Sequence, residues 1–131
     1  MKKTPLLHPE LSRVIARMGH TDKLVVADAG LPIPPDVQRI DLALTPGIPA
    51  FLDTLRVIAE ELEVAEFMVA EELTESNPAL VAAIQALFPE AKMFVVRHAQ
   101  FKVIVGSARA VVRTGETTPY ANVILISGVT F

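Results

Sequence analysis

The chain has no cysteine. That excludes disulfides, thiolate catalysis and cysteine-based zinc sites. It has no tryptophan, and aromatic residues make up 5% of the 131 positions, so the core must be aliphatic. Basic charge is not in excess: 12 Lys and Arg face 15 Asp and Glu, a net charge of −3. No basic patch stands out, which argues against nucleic acid as a partner. No apolar run approaches the roughly 18 residues of a membrane span. The start Met1-Lys2-Lys3 is basic but leads into no uninterrupted apolar segment. No signal peptide is therefore expected, and a cytoplasmic location is.

Several chemical signatures are missing too. GxGxxG and GxxxxGK[ST] are absent, and with them the usual dinucleotide and phosphate cradles. HExxH is absent, as is the GxSxG nucleophile elbow. No close pair among His8, His20 and His98 has metal-ligand spacing. A histidine-only metal site is therefore not expected.

What remains is 51% hydrophobic and 21% charged, the balance of a globular chain. Its length suits one domain over residues 1–131. Leu11, Val14, Ile15 and Met18 follow the spacing of an amphipathic helix. Pro9 suits its first turn and Gly19 its C′ position. Lys23 to Ala27 reads as a strand, and the adjacent Val25 and Val26 suggest burial on both faces. Gln38 to Leu44 reads as a second strand. A helix follows Pro49 with the stripe Phe51, Leu55, Ile58, Ala59 and Leu62, leaving Glu60, Glu61 and Glu63 on a solvated face. Glu66 to Ala70 is a third strand. Asn77-Pro78 is an N-cap followed by proline at N1, opening a helix that Pro89 stops. Lys92 to Arg97 is a fourth strand, Ala99 to Val105 a short helix, Ala110 to Arg113 and Asn122 to Ile126 two last strands. The alternation predicts an α/β fold: three α/β/α layers with a mixed, mostly parallel sheet of about six strands. The last two strands are joined too closely for a crossover helix, so they are expected to pair antiparallel.

Candidate chemistry sits at element ends. His20 precedes the first strand and Asp28 ends it, so an imidazole and a carboxylate flank one rigid element. Strand ends of α/β sheets are where small-molecule sites form. Position alone leaves open whether His20 acts or merely favours a helix end, and whether Asp28 acts or forms a turn. His98 ends a strand, and Lys102 lies one helical turn beyond it. Tyr120, the single tyrosine, and Asn122 carry groups that need partners when buried and that suit sugar hydroxyls. Arg113 and Glu116 flank the same turn and are expected to form a rim ion pair.

These segments resemble the D-ribose pyranase family. The resemblance rests on Gly19-His20-Thr21-Asp22, Asp28-Ala29-Gly30-Leu31-Pro32-Ile33-Pro34, Arg113-Thr114-Gly115-Glu116, Pro119-Tyr120-Ala121-Asn122 and the ending Gly128-Val129-Thr130-Phe131. Ile40 to Leu44, Pro46-Gly47-Ile48-Pro49 and the first three residues agree as well, so it spans essentially the whole chain. It implies interconversion of the pyranose and furanose forms of D-ribose, without cofactor or metal, by homo-oligomers built as decamers of two pentameric rings. It further implies His20 as the catalytic acid, with Asp28, His98, Tyr120, Asn122, the backbone of Ala121, and Lys102 at the sugar. Residues 19–34 are then expected to form one wall of the pocket, with His98 and 120–122 opposite, within one subunit or across a boundary. A mean hydropathy of +0.43 fits apolar surface buried between subunits. Two rival readings stand beside this one: a fucose-type mutarotase, and a non-catalytic sugar-binding subunit.

Overall fold

The computed structural model describes residues 1–131. The elements run α1 (Pro9–Arg17), β1 (Lys23–Ala27), β2 (Gln38–Asp41), α2 (Phe51–Ala59), β3 (Val64–Ala70), α3 (Glu71–Ser76), α4 (Pro78–Leu87), β4 (Lys92–Val96), α5 (His98–Val105), β5 (Ala110–Arg113) and β6 (Val123–Ser127). One six-stranded sheet holds them in the order β2-β5-β1-β6-β3-β4. Every strand is parallel to the others except β6, which lies antiparallel between β1 and β3. No helix is long and apolar enough to cross a membrane.

The period of two along β1 divides its residues between two cores. Leu24 and Val26 face the larger one, with Leu11 and Val14 of α1, Leu55 and Ile58 of α2, and Ile84 of α4. Val25 and Ala27 face the smaller one, with Phe101 and Val105 of α5 and the loop residues Leu31 and Val37. This is the three-layer arrangement expected from two adjacent buried valines. Each fully buried Val or Leu contributes about 1.5–3 kcal/mol.

The helix ends follow local chemistry. His8 caps α1 by accepting from the Leu11 N–H at 3.2 Å, with Pro9 at the first position. Asn77 caps α4 by accepting from Leu80 N–H at 3.1 Å. α2 has no cap of its own at Ala50; the Glu116 carboxylate accepts its first N–H, from Phe51, at 3.1 Å.

Several expectations need correction. β6 does not pair with β5: β1 lies between them, and β6 fills the gap between the two parallel halves. β2 stops at Asp41 because that side chain accepts from the Ala43 N–H at 3.1 Å, turning the chain out of the sheet. α1 ends at Arg17 with Met18 extended, and the positive φ of 68° falls on Thr21, not on Gly19. α3 was not expected; Leu73 is its one buried residue, so no apolar stripe announces it. Helix α5 begins at His98 itself, with Arg97 as its N-cap.

Candidate active site

The C-terminal ends of β1, β2, β3, β4 and β5 lie along one edge of the sheet, together with the N-terminal end of the reversed β6. Asp28 follows β1, His98 follows β4, and Asn122 precedes β6. They meet there, with Tyr120, around a cavity of about 210 Å3 that Gly30, Leu31 and Pro32 complete. At roughly 30 Å3 per water, that is room for a few waters or one small polar molecule.

Asn122 is 1% exposed and directs its whole amide at Asp28. Its Oδ1 accepts from the Asp28 N–H at 2.8 Å, and its Nδ2 donates to Asp28 Oδ2 at 3.1 Å. The other Asp28 oxygen accepts from the Gly30 N–H at 2.9 Å. A carboxylate oxygen has more than one acceptor site, so Asp28 keeps capacity for a ligand donor. Asn122 therefore holds Asp28 in place, and its own amide is largely occupied.

His98 is fixed from three sides. Its backbone N–H donates to Glu72 Oε2 at 2.8 Å. Its ring stacks on Phe101 at 6.2 Å and 20°, and meets the Tyr120 ring edge-on at 5.1 Å and 78°. The Glu72 carboxyl is held below its ordinary value, first by its own backbone N–H and then by that of His98. The His98 Nδ1 is buried without a hydrogen-bond partner. A buried polar atom left unpaired costs about 1–3 kcal/mol.

Tyr120 has a φ of 62°, uncommon for a bulky residue. The turn is closed by Asn122 N–H donating to the Tyr120 carbonyl at 2.7 Å, while Ala121 is fully buried and outside the cavity. Backbone conformations of this kind concentrate at ligand sites.

His20 is elsewhere. It is exposed, and it lies before β1 while Asp28 lies after it, so the strand's roughly 17 Å separate them. His20 lines a different cavity, of about 450 Å3, with Gly19, Glu61, Glu63, Ser127 and Phe131. Residues 19–34 thus do not form one wall of one pocket within the chain. Glu61, expected on a solvated face, has a buried Oε1 with no partner, and its other oxygen lies 3.9 Å from Lys2. Lys102 is exposed and outside both cavities.

The rim ion pair between Arg113 and Glu116 does not form. Arg113 pairs instead with Asp41 at 3.1 Å, and Glu116 accepts from Phe51, Thr117 and Thr118. No three His, Asp or Glu side chains lie together as metal ligands would.

The chain matches the model described as the RbsD / FucU transport protein family over residues 1–130. The chain belongs to the RbsD/FucU family. It is 55% identical over 132 residues to a Pseudomonas putida protein named D-ribose pyranase, and 53% identical over 131 residues to one of that name from Laribacter hongkongensis. Both alignments cover 100% of each chain. The structure of Bacillus subtilis RbsD complexed with D-ribose superposes with a TM-score of 0.96 at 48% identity, covering 100% of both chains.

Proposed function

We propose that this chain interconverts the pyranose and furanose forms of D-ribose by general acid/base opening and closing of the sugar ring. The observation that carries the reading is the cavity at the strand ends. It gathers a fixed carboxylate, a tyrosine and an imidazole, all groups that recognise vicinal hydroxyls. The relatives named D-ribose pyranase and the ribose-bound structure supply the sugar.

Ring interconversion needs no nucleophile, redox centre or external leaving group. A base takes the anomeric hydroxyl proton as an acid protonates the ring oxygen. The open aldehyde then closes through another hydroxyl. An imidazole serves either role near neutral pH, and a positioned acid or base contributes about 10²–10⁴-fold. His20 is the acid in this reading. Asp28, His98, Tyr120 and Asn122 form the sugar site, with Asn122 acting through Asp28; Ala121, outside the cavity, links the last two. His20 and Lys102 lie outside the sugar cavity of their own chain, so the complete site takes them from a neighbouring copy.

The reading extends to a homo-oligomer of two pentameric rings in the cytoplasm. Exposed apolar side chains support assembly: Leu44 is 80% exposed, Val103 70% and Leu7 66%. Names and ligand in the similar proteins favour ribose over fucose as substrate.

NMR saturation transfer between the ring forms of ribose tests the assignment. The wild type is expected to accelerate exchange, and His20→Ala to lower the rate by about 10²–10⁴-fold with the fold intact, because the side chain is exposed. Unchanged exchange in the folded variant removes His20 from the mechanism. Ribose binding by the wild type without acceleration would leave a sugar-binding subunit, and faster turnover of fucose a mutarotase.

A further inference from the structure

Asp28 sits on a loop with few hydrogen-bond donors of its own, since Pro32, Pro34 and Pro35 follow closely. The Gly30 N–H of that loop holds one carboxylate oxygen, and the remaining contacts come from outside it. Besides the Asn122 amide, two contacts hold the next residue, Ala29, at both of its backbone polar groups. Arg113 Nε donates to the Ala29 carbonyl at 3.0 Å, and the Ala29 N–H donates to the Glu116 carbonyl at 2.8 Å. Arg113 is itself locked by Asp41, whose two oxygens lie 3.1 and 3.2 Å from Nη1. Asp41, Arg113 and Ala27 form one row across β2, β5 and β1. The row ends one residue before Asp28.

We propose that Arg113, fixed by Asp41, is a positioning residue that aims the Asp28 carboxylate into the sugar site; this rests on the ribose reading given above. A planar guanidinium serves the Ala29 carbonyl with Nε and Asp41 with Nη1 at once. A lysine ammonium is a point charge and does not reproduce that fork. Displacing a positioned group by about 1 Å costs on the order of 10² in rate.

Arg113→Lys is the test, read in two ways. The Asp28 side-chain carboxyl carbon, which Arg113 does not touch, is expected to move in the 13C NMR spectrum whatever the substrate. Ribose ring exchange is expected to fall about 10- to 100-fold. The same substitution in an Asp28→Asn background is expected to cost nothing further, because Arg113 acts through Asp28. A residue of merely structural importance lowers activity equally in both backgrounds, and that result overturns the proposal. So does a folded Arg113→Lys protein with an unmoved Asp28 carboxyl resonance and wild-type exchange. If Arg113→Lys does not fold, Asp41→Asn is read against the same outcomes. A wild type that fails to accelerate ribose exchange defeats the ribose reading, while the Asp28 carboxyl resonance still decides whether Arg113 aims Asp28.

Discussion

Asn122 and Asp28 lie 94 positions apart, yet each completes the other. Nothing local in the sequence reveals that the Asn122 amide is turned toward a carboxylate. Residue type makes it a hydroxyl-recognising group; only the fold shows it as the holder of one. Removing it leaves the Asp28 N–H without its acceptor in a part-buried site. Asn122→Ala is expected to lower stability by about 1–3 kcal/mol in urea unfolding. It is also expected to slow ring exchange with the Asp28→Asn variant as the limit. Full activity in Asn122→Ala would return Asp28 to independence. The Arg113 and Glu116 side chains carry a similar lesson. Their proximity in sequence suggests a pair, but Asp41 and the start of α2 are nearer in space.

At the scale of elements, the turn between β5 and β6 works as a latch. Glu116 caps α2 through Phe51 and folds its own turn by accepting from Thr117 and Thr118. Gly115 fits against the 45–49 loop so closely that a Cβ there would lie 2.6 Å from the Thr45 carbonyl. Burial raises the Glu116 carboxyl, and the donors from Phe51, Thr118 and Thr117 more than offset it, so it lies below the ordinary 4.5. A carboxyl lowered on folding adds stability that is present above 4.5 and lost as pH falls through the lower folded value. Glu116→Gln is therefore expected to cost about 0.5–2 kcal/mol at neutral pH, a cap's worth. The gap to wild type closes in acid, as thermal unfolding across pH would show; a gap constant with pH contradicts the cap. Elements with strong local signals were legible, such as β1 from its valines, α1 from its apolar spacing and α4 from Asn77-Pro78. α3 was not, because Glu71 to Ser76 carries one buried apolar residue and no period. Strand order was not, because β6 finds β1 and β3 through long-range packing that no turn encodes.

For the whole molecule, the decisive fact is that β1 has two ends. His20 and Asp28 flank one strand, as their sequence positions imply, and for that reason they open onto opposite edges of the sheet. The family resemblance proposes both for one site; the geometry of a straight strand keeps them apart within one chain. A reaction that uses both therefore draws one of them from a second copy. The measurement that tests this most directly is ribose ring exchange in assemblies co-refolded from His20→Ala and Asp28→Asn chains. Each variant alone is expected to accelerate exchange about 10²–10⁴-fold less than wild type. The mixture is expected to recover activity, since about a quarter of sites in random assembly pair an intact His20 with an intact Asp28. A mixed assembly as slow as its parents, beside an active wild type, would contradict a site completed between copies.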